Sequence, residues 1–346
     1  MPDKKTKIIL SIETSCDETA IAVLKCSGNI KKPIFKIIAN EVSSQIKIHR
    51  PFGGVVPNLA KREHIKNLPK IYQKIKKEVV GLERKIDLVS VTVGPGLEPA
   101  LWTGITFAQD LAQKIKKPLI GANHMEGHLF GFLLSEQENK LDFPAIGLVV
   151  SGGHTVLLKM TSLTKWEKLG ETVDDAVGEA FDKVARILDL PYPGGPEIER
   201  LALSLPKGEK PSINFPRPML NQHNYDFSFS GLKTSVLYYL RDNPKTNKAN
   251  IAASFQQAAI DVLTKKAMKA AEEFSAKSII LCGGVACNKT LRETIRKESE
   301  KRGLSFFAPE MKFNTDNAAM IGAATYIHIL AKKKSLKIEA DSTLNL

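Results

Sequence analysis

The sequence predicts an α/β fold made of two similar domains, and three observations carry that prediction. Short apolar strands alternate with helical stretches along the 346 residues, enough chain for two cores. A strand–loop–strand figure near the start, residues 7–24, returns at 145–160, so that Thr19 falls over Thr155 at a domain-sized offset. In each copy the loop is short, polar and set at a strand end, a size and place that suit a phosphate.

Taken in order, residues 7–13 form a strand with an apolar face, 14–19 a polar turn, and 20–24 a second strand. The turn Thr14-Ser-Cys-Asp-Glu-Thr19 offers converging N–H groups and hydroxyls, while Asp17 and Glu18, with Glu13 at the strand end, can hold a cation or water. Residues 57–80 read as helical, with a bend expected at Pro69. A buried strand at 86–93 closes on Gly94-Pro-Gly96, a helix follows at 99–116, and a short strand at 118–122 leads into Asn123-His-Met-Glu-Gly-His128. If Asn123 caps a helix there, His124 and His128 stand one turn apart on one face.

A polar break at 135–141 precedes the second hairpin: strand 145–150, tight loop Ser151-Gly-Gly-His-Thr155, strand 156–160. Residues 170–188 run into an amphipathic helix, and the helix dipole accounts for Asp174 and Asp175 as an acidic first turn. Pro191-Tyr-Pro-Gly-Gly-Pro196 is a rigid turn whose glycines admit a ligand close to the backbone. The stretch 206–230, long and rich in proline, reads as a functional loop. Helices at 231–240 and 249–274, a strand at 278–282, a glycine turn, a helix at 289–302, a strand at 304–307 and a helix at 316–331 complete the chain, and the segment after Lys332 is expected to fray.

The domains are therefore expected at 1–135, rejoined by the helix 316–331, and at 136–315, with 332–346 as a tail. Two similar halves clasping a nucleotide between two hairpin loops is the plan of actin, the heat-shock chaperone ATPases and the sugar kinases (the ASKHA superfamily), which puts the expected ligand cleft between the domains.

Two imidazoles at i, i+4 can bind one transition metal and leave positions for a third protein ligand and a substrate oxygen. A capped helix with two unconnected histidines has the same spacing. Asp316, in Thr315-Asp-Asn317, is either a third ligand or a helix cap, and sequence distance does not choose between them. Gly283 to Thr290 follows phosphate-loop spacing except that Asn288 replaces the second glycine, which argues against a true P-loop. A glycine pair between strand and helix still suits a base or ribose, and the Asn288 amide can donate and accept.

Composition narrows the class. An apolar content of 43% with 25% charge belongs to a globular protein. No apolar run reaches membrane-spanning length and the first residues lack a signal-peptide core, so a cytoplasmic chain with no membrane partner is expected. Cys16, Cys26, Cys282 and Cys287 form no Cys-x-x-Cys pair, against a disulfide framework or zinc ribbon. A net charge of +13 suits a polyanion such as RNA, although solvated lysine-rich helix faces would give the same figure.

Eight motifs occur in order: Ser11-Ile-Glu-Thr-Ser-Cys-Asp-Glu-Thr19, His124-Met-Glu-Gly-His128, Val150-Ser-Gly-Gly-His-Thr155, Asp174-Asp-Ala-Val-Gly-Glu-Ala-Phe-Asp182, Tyr192-Pro-Gly-Gly-Pro196, Phe229-Ser-Gly-Leu-Lys233, Gly283-Gly-Val-Ala-Cys-Asn288 and Thr315-Asp-Asn317. Together they resemble the tRNA threonylcarbamoyladenosine transferase family (TsaD, formerly called O-sialoglycoprotein endopeptidase) over about residues 7–330. The Met-Glu pair between the histidines is nearer the bacterial and organellar branch than the archaeal one. The resemblance implies His124, His128 and Asp316 as ligands of one divalent metal ion, ferrous iron before zinc. It implies Val149, Val150, Ser151, Gly152 and Gly153 as a phosphate-side loop, and Asp182, Gly195 and Asn288 as adenylate contacts. Glu199, Glu13, Asp17, Glu18 and His154 are further candidates beside these sites.

The implied reaction moves a threonylcarbamoyl group from threonylcarbamoyl-AMP to the exocyclic amine of the tRNA adenosine next to the anticodon, releasing AMP. The implied partners are tRNA, a non-catalytic paralogue and a small ATPase. Three alternatives come from other classes: an ASKHA-type ATP phosphotransferase, a nucleotide-switch scaffold, and a metallopeptidase. The first two leave the histidine pair unused. A zincin needs Glu directly after the first histidine, whereas Glu126 is two residues on and points away from the histidine face.

Overall fold

A computed structural model describes residues 6–135, 140–206 and 208–346. The chain divides into two compact units, Met1–Gln137 with Pro309–Leu346, and Glu138–Ala308. The expected absence of a signal core concerns mainly residues 1–5, and the expected polar break falls largely on 136–139; both lie outside the described residues, as does Lys207 of the proline-rich loop.

In the first unit β1 (Lys7–Glu13) pairs antiparallel with β2 (Glu18–Asn29), which pairs antiparallel with β3 (Lys32–Ser44). After two single turns of chain, α1 (Ile46–His49) and a 3₁₀ turn at Arg50–Phe52, comes α2 (Pro57–Glu78). Pro57 opens α2, where a missing N–H has no intrahelical partner to lose. Its Leu68, Ile71, Tyr72 and Ile75 join the apolar cluster against the sheet. The bend expected at Pro69 does not end the helix: α2 runs through that residue, which lies on the exposed side. The short α3 (Leu82–Lys85) leads to β4 (Leu88–Gly94), buried at every position, then α4 (Glu98–Ile115), β5 (Leu119–Asn123) and α5 (His124–Phe130). Strand order is β3-β2-β1-β4-β5, with β4 and β5 parallel to β1.

The second unit repeats the plan. An antiparallel meander of β6 (Ala145–Val150), β7 (Thr155–Ser162) and β8 (Lys165–Glu171) is followed by α6 (Val177–Ile187), α7 (Gly194–Ala202), α8 (Ser230–Asp242) and α9 (Lys248–Glu273). Then β9 (Ser278–Cys282), α10 (Lys289–Glu300) and β10 (Ser305–Phe307) complete a sheet ordered β10-β9-β6-β7-β8. In both sheets a three-strand meander receives two parallel strands beside its first strand. The two similar α/β halves expected from the hairpin repeat are thus present. The second core is built around α9, whose Ile251, Phe255, Ala259 and Leu263 are buried with Phe181, Phe227 and Phe229.

The chain then returns to the first unit as α11 (Ala318–Ala331). Ala318, Ala319 and Gly322 let it lie close on the sheet: a Cβ on Gly322 would stand 2.8 Å from Leu24, and Ser11 Oγ donates to the Ala318 carbonyl at 2.6 Å. The frayed end expected after Lys332 is corrected here. Leu336, Ile338, Ala340 and Leu344 pack on the first core, and the Asp341 N–H donates to Val93 O at 2.8 Å.

Candidate functional site

Within the first unit the chemistry gathers where three chain segments end. Asn123 caps α5 as expected, its Oδ1 accepting from Met125 N at 2.7 Å and Glu126 N at 3.2 Å. That start directs His124 and His128 to one side, their rings 4.6 Å apart and edge to face. The choice left open for Asp316 is resolved by its neighbour. Asn317 is the cap of α11, accepting from Met320 N at 3.0 Å and donating to Thr315 O at 2.8 Å, which leaves the Asp316 carboxylate to turn toward the histidines. Asp316 Oδ1 lies 3.1 Å from His128 Nε2 and 3.5 Å from His124 Nε2.

His124, His128 and Asp316 are the one set of three His, Cys, Asp or Glu side chains whose ligand atoms converge among the described residues, all within 4.8 Å of one another. His128 is buried, and neither ring nitrogen has a hydrogen-bond partner. Its Nε2 lies 3.1 Å from Asp316 Oδ1 without forming a hydrogen bond. Buried polar atoms are nearly always satisfied, so the orphaned nitrogens fit a metal ion.

Glu13 supports the set from behind. It is fully buried, and its Oε2 lies 3.1 Å from His124 Nδ1, which leaves Nε2 facing Asp316. A carboxylate behind a ligating imidazole fixes its orientation and raises its basicity. Thr92 Oγ1 donates to the same Oε2 at 2.6 Å and Ser15 N donates to Oε1 at 2.5 Å. Burial would raise the Glu13 carboxyl, but His124 and Thr92 outweigh it and hold it below its ordinary value. Burial likewise pulls His124 down, while Glu13 and Asp316 raise it to about 9. Glu18 is pushed far above the carboxylate range by burial, Asp17 and Asp316, and Asp17 Oδ2 is buried without a partner. This excess of acidic groups is the environment a cation would relieve.

The second unit holds the other candidates on a connected surface. Ser151 closes the β6–β7 loop on His154, its N–H donating to His154 O at 2.8 Å and its Oγ accepting from His154 N at 3.0 Å. α6 runs from this loop to the next candidate: Gly178 N donates to Ser151 O at 3.3 Å, and Asp182 Oδ1 accepts from Gly194 N at 2.6 Å. A Cβ on Gly152, Gly153, Gly195 or Gly284 would meet no protein atom within 4 Å, so the backbone is open at all four. Val149 and Val150 are buried strand residues beneath the loop, and Gly283 packs against the Val150 carbonyl with a positive φ. Asn288 caps α10 through Leu291 N at 2.9 Å while its Nδ2 donates to Gln256 Oε1 at 2.7 Å. Glu199 Oε1 accepts from Lys289 N at 2.7 Å, joining α7 to α10.

The dipole account of Asp174 and Asp175 is corrected. Asp174 accepts from Ser228, Phe229 N and Ser230 at the start of α8, and Asp175 pairs with Lys183 Nζ at 2.6 Å. Sequence reasoning also missed Thr92 and Gln256, which sit inside a strand and a helix with no local signal, and Ser15, whose Oγ lies 3.1 Å from His124 Nδ1. Glu126 faces His328 and Lys333, away from the cluster, which removes it as a peptidase base. Burial raises the Cys16 thiol well above its ordinary value and the Cys26 thiol to about 12, and raises Cys282 and Cys287 as well, which disfavours the thiolate at all four.

Comparison with known proteins gives a consistent picture. The family model TsaD, described as tRNA N6-adenosine threonylcarbamoyltransferase, matches residues 36–323. A protein of that name from Thermosipho africanus is 49% identical over 340 residues, covering 97% of each chain. Another from Clostridium perfringens is 46% identical over 94% of this chain and 93% of its own. Among solved structures, HypF of T. kodakarensis aligns with a TM-score of 0.60 at 16% identity, over 96% of this chain and 48% of that one. The activator of the 2-hydroxyisocaproyl-CoA dehydratase from Clostridium difficile aligns with a TM-score of 0.52 at 14% identity, over 95% and 99%. These two likenesses speak for the fold alone.

Proposed function

Because this chain belongs to the tRNA N6-adenosine threonylcarbamoyltransferase family, we propose that it moves a threonylcarbamoyl group from threonylcarbamoyl-AMP to N6 of the tRNA adenosine next to the anticodon. The observation that carries the metal part of this reading is the buried His128 Nε2, without a hydrogen bond, converging with His124 and Asp316. His124, His128 and Asp316 hold one divalent ion. A donor set of two imidazoles and one carboxylate with open positions suits iron or zinc alike, and the family resemblance favours ferrous iron. When bound there, the ion supplies Lewis acidity toward a carbonyl or hydroxyl oxygen.

The chain's own residues do the rest. Glu13 orients His124 through Nδ1, and Thr92 and Ser15 hold Glu13. In the second unit the N–H groups of Gly152 and Gly153, on backbone where a Cβ would meet nothing within 4 Å, take the phosphate of the adenylate, where charge grows as the carbamoyl–phosphate bond breaks and the bond to N6 forms. Asp182, Gly195 and Asn288, with Glu199 at lower weight, line the path of the adenosine, and Val149 and Val150 support the loop. The raised thiols disfavour a cysteine-linked covalent step, which supports direct attack by the amine.

A basic chain suits a tRNA substrate, and a cytoplasmic assembly with a non-catalytic paralogue and a small ATPase is the setting that the family resemblance supports. No helix of the described residues is long and apolar enough to cross a membrane. The test is to incubate purified chain and partners with tRNA and chemically made threonylcarbamoyl-AMP, then digest the tRNA and look for the modified nucleoside by mass spectrometry. His124→Ala and His128→Ala should lose both bound metal and product while circular dichroism stays native. Full metal occupancy in either variant would refute the ligand assignment.

A further inference from the structure

Glu126 lies between the two histidines in sequence yet stands outside their cluster. Two residues along a helix turn a side chain by about 200°, so it leaves α5 on the opposite face. There it is buried and lies against buried His328 near the end of α11: carboxylate Oε2 and imidazole Nε2 are in contact without hydrogen-bond alignment, neither atom has another partner, and Lys333 Nζ lies 3.6 Å from Oε1. A second contact joins the same helices, since a Cβ on Gly127 would stand 3.0 Å from Ile321 and 3.1 Å from Met320. α5 carries His124 and His128, and the first turn of α11 is tied through the Asn317 cap to Asp316. The spacing of α5 and α11 therefore decides whether two imidazoles and a carboxylate can converge on one point. A carboxylate buried without its partner is strongly unfavourable, so this contact resists any sliding of the two helices.

We propose that Glu126 and His328 form a positioning pair that holds α5 and α11 at the spacing where His124, His128 and Asp316 share one ion. The inference rests on the metal reading above and adds a function for the acidic residue between the histidines. A merely structural contact would lower the unfolding temperature without changing the ion's surroundings.

The full-length protein, stripped of metal, is titrated with Co²⁺ as Glu126→Gln, His328→Ala and the double variant, with His124→Ala as control. Each single variant should bind Co²⁺ more weakly, by up to about 10-fold, since the pair acts through helix spacing and touches no ligand, where direct partners of a ligand cost about 10- to 100-fold. The visible bands of bound Co²⁺ should shift as the ligands move apart. The double variant should lose no more than the worse single, because residues acting as one unit are not additive. If Glu126→Gln does not fold, Glu126→Asp keeps the charge but withdraws it by one methylene and should also weaken binding. Wild-type affinity and spectrum in the single variants, or losses that multiply in the double, would overturn the pair. Co²⁺ retained by His124→Ala would instead overturn the metal reading itself.

Discussion

Gly152 and Gly178 face each other across one contact and should respond to substitution in opposite ways. A Cβ on Gly152 meets no heavy atom within 4 Å, so Gly152→Val should change stability by no more than about 0.5 kcal/mol, as for an open surface site. Its branched side chain would nonetheless stand over the loop N–H groups and block a phosphate. A Cβ on Gly178 would lie 2.5 Å from Ser151 O and 2.8 Å from Gly152 Cα, both backbone atoms. Carbon–oxygen contacts ordinarily begin near 3.3 Å, so Gly178→Ala must push α6 and the loop apart by about 0.8 Å. Overpacking of this kind costs about 1–3 kcal/mol, partly offset by up to about 1 kcal/mol from replacing glycine within a helix. A net loss of about 1–2 kcal/mol is roughly 2–8 °C in unfolding temperature. The assay is thermal unfolding with and without AMP, which at a hundred times its dissociation constant should stabilise the wild type by about 2.7 kcal/mol. Gly152→Val should unfold like wild type without AMP and gain nothing from it; Gly178→Ala should unfold earlier and gain less. A wild-type AMP shift in Gly152→Val would remove the phosphate from this loop.

Three further outcomes are expected. His64 is buried, which lowers its pKa; its Nε2 reaches Cys16 O at 2.9 Å and its Nδ1 reaches Thr19 Oγ1 at 2.8 Å. A histidine held below its unfolded value of about 6.5 contributes stability above that pH and loses it as the pH falls toward the folded value, so stability against urea should fall from about pH 6.5 to 5.5, below the range in which the raised His124 gains stability on acidification, and His64→Gln should flatten that fall. Deleting residues 335–346 removes Leu336, Ile338, Ala340 and Leu344 from the first core and the Asn345 carbonyl that accepts from Asn123 Nδ2; about 2–4 kcal/mol should go, read as a drop of several degrees in calorimetry, and an unchanged midpoint would return the tail to a passive status. Raising salt should weaken tRNA far more than AMP in parallel binding titrations, because phosphate contacts release counterions, whereas equal sensitivity would leave the charge of +13 as a solvated surface.

The features legible in the sequence were those in which a local rule and a role coincide. The duplicated hairpin announced both sheets because each loop is bracketed by apolar alternation, and His124 and His128 were visible as a pair through helical spacing. β3 escaped because its exposed face carries Ile34, Ile38 and Val42, which erases the alternation that marks a half-buried strand. Leu336 and Ile338 looked like a loose end because their partners lie in distant parts of the chain. The support of Glu13 by Thr92, 79 residues away, is of the same kind.

Asp316 shows where the boundary falls. Asp316 and Asn317 are both good caps by composition, and only the hydrogen bond from Met320 N to Asn317 decides that the asparagine caps. Asn123 does the same for His124, and Asn288 caps α10 with its Oδ1 while its amide remains a donor. In each case an asparagine accepts from the N–H groups of a helix start. A carboxylate that capped α11 would be committed to two N–H groups and poorly placed to face His128. An Asn317→Ala substitution should therefore do more than lose a cap: it invites Asp316 to take over the capping, weakening metal binding beyond the ~1 kcal/mol that the fold loses.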